Sequence, residues 1–415
     1  MDRQRRTLLW VIVLVGLFAA TTALGLACAS SGDDDDDDDT ADDDTADDDD
    51  TTDDDTSDDD TVDDDDDDLG DDDTTIADTF SEAEANVGDW VWIPVVGNLC
   101  RDGSQTGIAV RLQEGEGSDD LMIFLQGGGA CADKDSCDAN PAKYGKTQMQ
   151  ADTSLNAGIL SDGTGSESNV SEFANWNNVV IPYCTGDLHV GFEENGKAEG
   201  VEARQIYVGI RNMRNVADLI GQYFTGLKRV FIVGQDAGGM GTNWAAIEFE
   251  AAFDDNTIRV FNDSFPMPKD NNVFSVLEQT GFKLQWGIEL PEDCENCTGG
   301  VGNSGMEFIQ QFIALEYDES TFGLFSYAGD ETMRNLYGED VAIDANAYEN
   351  SLVDLRNNVL KDTEQWSVYI APGTGHGIVT SPEYFTMEVG DKMLTDWVSE
   401  LATPTLNQPP ASVGP

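Results

Sequence analysis

Short runs of consecutive apolar residues recur between residues 90 and 402. They alternate with stretches in which apolar positions return every three or four residues. The clearest runs are Leu121–Leu125, Val179–Ile181, Val230–Val233, Phe322–Tyr327 and Val368–Ile370. Such short, partly β-branched runs are typical of buried strands in a parallel sheet. Helical spacing appears over Ile210–Phe224 and Met240–Ala251. The alternation predicts an α/β fold with a mostly parallel sheet and helices on both faces.

The N-terminus has the layout of an export signal. Three arginines within the first six residues precede the apolar stretch Leu8–Ala27. Cys28 then follows Leu24-Gly25-Leu26-Ala27, which resembles a bacterial lipobox. The pattern predicts a signal peptide over residues 1–27 and a lipid on Cys28. A spanning anchor and plain secretion are the alternatives. All three place the remaining chain outside the cytoplasm, in the cell envelope or beyond it.

Residues 28–78 form the next segment, in which runs of Asp are separated by Thr, Ala and Ser. Few apolar side chains are available there to offset the entropy of ordering, so we expect a disordered linker. Carboxylate oxygens suit hard cations, and weak calcium binding is a second expectation for this segment. A folded domain is predicted over 79–402, followed by a flexible Pro-rich tail over 403–415.

Charge narrows the choice of partner. The chain has 21 Lys and Arg against 82 Asp and Glu, a net charge of −61. Residues 74–415 alone carry 18 basic and 52 acidic residues, a net charge of −34. Nucleic acid needs a basic face and is therefore excluded as a partner. An anionic polymer would also be repelled unless salt screens the field.

Seven cysteines occur, at positions 28, 100, 131, 137, 184, 294 and 297. If Cys28 carries lipid, six remain, an even number in an oxidising compartment. Two pairs, Cys131 with Cys137 and Cys294 with Cys297, can close short loops, which leaves Cys100 with Cys184. A zinc site at Cys294 and Cys297 is the alternative, but it needs two further ligands and the chain has only two His. We expect no metal and no cofactor.

Three loops follow predicted strands, where α/β sheets place their sites. The first is the Gly-rich Gln126–Cys131, whose backbone N–H groups can approach a ligand closely. The second, Gly234–Gly241, runs from strand into helix like a nucleophile elbow, with Asp236 in the nucleophile position. The third is Pro372–Gly377, which contains His376. Asp330 also follows a strand and is the candidate acid. These loops predict one site at the carboxyl edge of the sheet.

Several segments in series resemble the pectin acetylesterase / Notum family. They are FLQGGGACAD, NWNNVVIPYCTGDLHVG, GIRNMRNVADLI, RVFIVGQDAGGMGTN, VFNDSF, SYAGDETM and APGTGHG, and they span roughly residues 90–400. The resemblance implies an α/β-hydrolase-like fold, Asp330 as the triad acid and His376 as the base. It also implies an oxyanion hole from the loop glycines Gly128 and Gly129 with Ala237, and a pocket lined by Asp187 and His189. Cys131 and Cys137 match a short disulfide loop, and the implied substrate is a small-molecule, sugar or lipid ester.

The chain departs from the family at the nucleophile. The family elbow reads G-x-S-A-G-G, whereas this chain has Gly234-Gln235-Asp236-Ala237-Gly238-Gly239. Three hypotheses follow. Asp236 is a covalent nucleophile in a variant Asp-His-Asp triad, acting on an ester or, as in dehalogenases and epoxide hydrolases, on an alkyl carbon. Alternatively, His376 activates water directly for ester hydrolysis. In the third, the chain is inactive and binds a ligand in the pocket, with Asp236 held by the loop N–H groups and protonated His376.

Overall fold

The computed structural model describes residues 76–415, apart from residues 166–167, 254–256, 300–301, 339–340 and 405–407. The predicted signal peptide, the lipidation site Cys28 and nearly all of the linker lie outside this part of the chain. None of the described helices is long and apolar enough to cross a membrane. Lipidation, membrane anchoring and calcium binding by the linker therefore stay predictions.

The strands of the described residues are β1 (Val91–Leu99), β2 (Gln105–Arg111), β3 (Asp120–Leu125), β4 (Asn177–Ile181), β5 (Glu193–Gly196), β6 (Gln205–Tyr207), β7 (Arg229–Gln235), β8 (Ile258–Asp263), β9 (Thr321–Tyr327), β10 (Trp366–Ala371), β11 (Glu388–Val389) and β12 (Lys392–Met393). The five predicted strands correspond to β3, β4, β7, β9 and β10, each within two residues at either end.

The α-helices of the same residues are α1 (Ile76–Ala85), α2 (Lys134–Ala139), α3 (Lys146–Ala151), α4 (Gly209–Tyr223), α5 (Ala237–Ala252), α6 (Val276–Trp286), α7 (Ile309–Glu316), α8 (Glu331–Tyr337), α9 (Ala345–Asp354) and α10 (Leu394–Ala402). The two helices expected from apolar spacing are α4 and α5. A π-helical turn, Leu355–Leu360, continues α9. The short 3₁₀ turns are Thr153–Asn156, Gly158–Leu160, Glu295–Thr298, Met306–Phe308, Lys361–Thr363 and Pro382–Phe385.

An eight-stranded sheet has the order β1-β2-β4-β3-β7-β8-β9-β10. Strands β4, β3, β7, β8, β9 and β10 are mutually parallel, while β2 pairs antiparallel with β1 and β4. The parallel strands end at one edge, so the loops that follow them meet there. Two small antiparallel pairs, β5 with β6 and β11 with β12, lie outside this sheet.

Alternate residues of the strands enter two different apolar cores. In β3, Leu121, Ile123 and Leu125 pack into the core that contains α4 and α5, whereas Met122 and Phe124 pack into the core that contains α10. Successive side chains of a strand point to opposite faces, so this division means that helices cover both faces of the sheet. The predicted α/β fold is thereby confirmed.

The folded region differs from the predicted bounds at both ends. Helix α1 begins at Ile76, inside the predicted linker, and the ring of its buried Phe80 stacks on Tyr223 with centroids 3.7 Å apart. At the other end, Val413 exchanges backbone hydrogen bonds with Val368 and Ile370 of β10. The backbone at Val413 therefore extends the edge of the sheet beside β10. These last residues are ordered, in contrast to the flexible tail expected over 403–415.

Three disulfides join Cys100 to Cys184, Cys131 to Cys137 and Cys294 to Cys297. These are the pairs that the loop-length argument favoured. The sulfurs of Cys294 and Cys297 are bonded to each other, so the zinc alternative at this pair is wrong, because zinc needs free thiolates.

Candidate active site

The predicted site residues meet at the carboxyl edge of the parallel strands. Gly128 and Gly129 follow β3, Asp236 lies between β7 and α5, Asp330 follows β9 and His376 follows β10. Four strands that are separate in sequence thus bring four loops to one place. The parallel arrangement places the two carboxylates and the imidazole at one edge of the sheet.

Asp236 occupies a strained turn between strand and helix. Its backbone dihedrals are φ 54° and ψ −117°, in a region that non-glycine residues rarely adopt. The turn is also tightly packed, because a Cβ at Gly234 or at Gly238 would lie 2.1 Å from a backbone oxygen. Small residues are required on both sides of Asp236, and this is the geometry of a nucleophile elbow.

His376 bridges the two carboxylates. Its Nδ1 lies 2.9 Å from Oδ2 of Asp330, and its Nε2 lies 3.0 Å from Oδ1 of Asp236. The other oxygen of Asp330 accepts the Met333 amide and caps helix α8. The end of helix α8 therefore fixes the Asp330 carboxylate, and that carboxylate in turn orients the His376 imidazole.

The second oxygen of Asp236 accepts two backbone hydrogen bonds from the Gly-rich loop. Oδ2 lies 2.9 Å from the Gly128 nitrogen and 2.7 Å from the Gly129 nitrogen. The predicted oxyanion donors thus hold the carboxylate of the elbow residue itself. Ala237, the third predicted donor, is the first residue of α5, a position at which helix amides lack an intrahelical partner.

The charges of Asp236 and His376 shift each other's pKa. Burial lowers the pKa of His376, but hydrogen bonds and charge from Asp236 and Asp330 outweigh it and raise that pKa to about 10. Burial raises the pKa of Asp236, yet its bonds to His376, Gly128 and Gly129 outweigh burial and leave the pKa below its ordinary value. At neutral pH the resting site is therefore a carboxylate–imidazolium–carboxylate array.

Asp187 and His189, predicted to line the pocket, have exposed fractions of only 0% and 3%. The Asp187 carboxylate accepts hydrogen bonds from Thr185, His189 and Gly209. His189 Nε2 lies 2.8 Å from the carbonyl oxygen of Gln126, at the start of the Gly-rich loop. The two side chains support backbone behind the loop, and their pocket role stays a prediction.

Burial also sets the protonation of this supporting pair. It lowers the pKa of His189 to about 4 and raises the pKa of Asp187 to about 6. His189 is consequently neutral at pH 7 and donates its Nε2 proton to Gln126.

Asp263, at the end of β8, was not singled out by sequence reasoning. Its buried side chain accepts the backbone amides of Ile378 and Val379, just beyond His376. The available signal was an acidic residue closing a buried strand within the family-like segment VFNDSF.

No group of three His, Cys, Asp or Glu among the described residues is arranged to hold a metal ion.

Comparisons with known proteins agree with this architecture. Residues 91–275 match the family model described as Pectinacetylesterase. Pectin acetylesterase 4 of Arabidopsis thaliana is 30% identical over 148 residues, which are 35% of this chain and 35% of that protein. The human palmitoleoyl-protein carboxylesterase NOTUM is 32% identical over 149 residues, 34% of this chain and 28% of the relative. The matched part thus spans about a third of the length of these relatives.

Among solved structures, the Wnt deacylase Notum from Drosophila aligns with a TM-score of 0.55 and 19% identity over 78% of this chain and 96% of that chain. A second crystal form of the same protein gives a TM-score of 0.53. At this identity the likeness establishes the fold, which is α/β-hydrolase-like.

Proposed function

We propose that this chain, whose residues 91–275 match the Pectinacetylesterase family model, is an extracytoplasmic hydrolase of carboxylic esters that uses Asp236 as its nucleophile. One observation carries the proposal. Asp236 directs Oδ1 to His376 and Oδ2 to the amides of Gly128 and Gly129. A carboxylate so held has one oxygen for attack and one in place for a developing negative charge.

In the first step, Oδ1 of Asp236 attacks the acyl carbon of the ester. A carboxylate brings no proton, so the departing alkoxide must receive one from elsewhere. His376 is protonated at neutral pH and donates its Nε2 proton to that oxygen, which leaves as the alcohol. The Ala237 amide is the candidate donor to the transient acyl oxyanion. The product is an acyl-aspartyl anhydride at Asp236 beside a neutral His376.

The loss of charge on Asp236 prepares the second step. One of the two carboxylates that raise the His376 pKa has become neutral, so the imidazole becomes a competent base. It takes a proton from water, and the hydroxide attacks Cγ of Asp236. The negative charge develops on Oδ2, which lies 2.9 Å and 2.7 Å from the Gly128 and Gly129 nitrogens. Donors at such distances lower the barrier by about 3 kcal/mol each.

Collapse of this intermediate breaks the bond between Cγ and Oδ1. The acid product leaves with the original Oδ1, and the new Asp236 carboxyl group carries the oxygen of water. That group ionises and releases a proton, while His376 is again protonated. One ester and one water give one alcohol, one carboxylate and one proton.

Isotope incorporation tests this order of bond breaking. A single turnover in oxygen-18 water, with enzyme in excess over a p-nitrophenyl ester, should label Asp236 and leave the acid product unlabelled. Mass spectrometry of the peptide that contains Asp236 measures the label. Label in the acid product with none in Asp236 would mean that water attacks the substrate directly, with His376 as the base.

The same three hydrogen bonds support a second candidate, a ligand-binding protein without turnover. They engage both oxygens of the Asp236 carboxylate and occupy the donors that a substrate carbonyl would need. In that case no ester is hydrolysed by the native chain, and Asp236→Ser creates esterase activity. A panel of esters, haloalkanes and epoxides separates the candidates, since an Asp nucleophile can also open an alkyl carbon.

Substrate and location complete the proposal. The net charge of −34 on residues 74–415 favours uncharged esters, such as acetylated neutral sugars or lipid esters, over anionic polymers. We propose that residues 1–27 direct export, that Cys28 carries lipid, and that residues 28–78 hold the hydrolase domain away from the membrane. Metabolic labelling with a fatty-acid analogue, with Cys28→Ser as control, tests the anchor.

A further inference from the structure

Asp263 carries a fully buried carboxylate that the reaction scheme does not use. Its exposed fraction is 0%, and it lies at the end of β8, between β7 and β9. Oδ2 lies 2.7 Å from the Ile378 nitrogen and 2.9 Å from the Val379 nitrogen. A buried carboxylate is costly unless it accepts such bonds, so these contacts are strongly held.

Ser264, the next residue, extends the contact by one amide. Its hydroxyl oxygen accepts the Gly377 amide at 2.9 Å and donates to Oδ1 of Asp263 at 2.8 Å. Its φ of 74° lies in the left-handed region, which a residue with a side chain rarely adopts. Such strain persists only where the surroundings enforce it. Here it directs the hydroxyl to the His376 loop.

Asp263 also touches the nucleophile elbow. Its backbone oxygen accepts the Asp236 amide at 3.0 Å. One residue thus binds the elbow through its backbone and the His376 loop through its side chain. The three amides that follow His376 along the chain are all held by Asp263 and Ser264.

We propose that Asp263, with Ser264, is a positioning residue that keeps the His376 imidazole within reach of both Asp236 and Asp330. The proposal rests on the proposed function only in taking His376 as the acid–base group. Asn at position 263 has one acceptor oxygen where Asp263 has two, so it cannot accept both the two loop amides on one oxygen and the Ser264 hydroxyl on the other. The contacts to the His376 loop are weakened, and the loop is free to shift. A shift of about 1 Å would take the His376 contacts of 2.9 Å and 3.0 Å beyond hydrogen-bond range.

The test reads the imidazole directly and needs no substrate. The chain has only two histidines, so nitrogen-15 NMR of the rings resolves both. Asp263→Asn and Ser264→Ala are compared with Asp187→Asn, which removes a different buried carboxylate that also accepts backbone amides. We expect the pKa of His376 to fall by about one pH unit or more in the first two variants, because its bonds to the carboxylates loosen. Asp263→Asn also removes a charge that attracts His376, whereas Ser264→Ala removes none, so a fall in Ser264→Ala reports the positioning effect by itself. In the control, only His189 should change.

The proposal is overturned if the His376 titration is unchanged in folded Asp263→Asn, or if Asp187→Asn moves it equally. Should Asp263→Asn fail to fold, Ser264→Ala decides alone, and an unmoved His376 then overturns the proposal. Ester turnover is a separate readout, expected to fall about 100-fold in Asp263→Asn. If the wild-type chain hydrolyses no ester, the proposed function is contradicted. The titration of His376 still tests the role of Asp263, because it needs no turnover.

Discussion

The two histidines of this chain lie at the same edge of the sheet, and their pKa values are shifted in opposite directions. Burial lowers the pKa of His189 to about 4, whereas two carboxylates overcome the same effect at His376 and raise its pKa to about 10. His189 contacts a carbonyl oxygen, and His376 contacts Asp236 and Asp330. The charge of the partner, more than the depth of burial, therefore decides which imidazole carries a second proton.

This difference assigns different work to the two regions. A neutral His189 supports the Gln126 carbonyl and has no proton to exchange near pH 7. A protonated His376 is an acid in the resting state, which suits a nucleophile that carries no proton of its own. In a Ser–His–Asp site the resting imidazole is instead the base. In the proposed mechanism, Asp236 in the position of the family's Ser therefore reverses the starting role of the histidine.

The largest expected effect comes from removing the anion at the elbow. In Asp236→Asn the attacking carboxylate is lost, and ester turnover should fall by about 10⁴-fold or more. The initial rate with a p-nitrophenyl ester measures this. Asp318→Asn, an exposed carboxylate near the opposite edge of the sheet, should retain wild-type turnover. Asp236→Asn turnover within tenfold of wild type would remove Asp236 from the mechanism.

His376→Gln should lower turnover by about 10³-fold, because both the proton donor of the first step and the base of the second are lost. The amide keeps some hydrogen bonding, so the fold should persist, as circular dichroism can verify. A decline of only a few-fold would place the acid–base work elsewhere.

The pH dependence separates an acid from a base at His376. The first step needs protonated His376 and ionised Asp236, so kcat/KM should stay level through neutral pH. It should then fall about tenfold for each pH unit above the His376 pKa of about 10. Water activation by neutral His376 predicts the reverse, a rate that rises toward pH 10. A pH–rate profile from pH 5 to the alkaline limit of stability decides between them.

The smallest effect is expected at His189. His189→Gln removes a hydrogen bond to Gln126 worth about 1 kcal/mol and should reduce turnover less than tenfold. This substitution should have a clearer effect on the pH dependence of stability. His189 takes up a proton near pH 6.5 when unfolded but only near pH 4 when folded, so its own contribution to stability falls as pH drops between these values. Asp187, whose pKa burial raises to about 6, contributes with the opposite sign in the same range. His189→Gln should lessen that fall in urea unfolding curves, and an unaltered acid limb would contradict a buried neutral His189.

Linkage at His376 has the opposite sign. Its folded pKa is raised above the unfolded value of 6.5, so its contribution to stability is fully present below pH 6.5 and disappears as pH rises through about 10. Replacement of His189 should therefore change the acid limb of the stability profile, and replacement of His376 should change the alkaline limb.

Much of this site was predictable from sequence because its parts are local. Runs such as Leu121–Leu125 mark strands, and the loops after them carry Asp236, Asp330 and His376. Parallel pairing then brings those loops together. Contacts made by side chains across long separations were not predictable. The bond from His189 to Gln126 spans 63 residues, and that from Asp263 to Val379 spans 116. No local pattern encodes either, and the end of the chain on β10 escaped prediction for the same reason.

The most direct test of the resting state is a titration of both imidazole rings by nitrogen-15 NMR in the wild-type chain. The account predicts that His376 stays doubly protonated through neutral pH and titrates near 10, while His189 stays neutral down to about 4. If His376 instead titrates near its ordinary value of about 6.5, the carboxylate–imidazolium–carboxylate array does not exist, and the proposed use of His376 as the first proton donor is wrong.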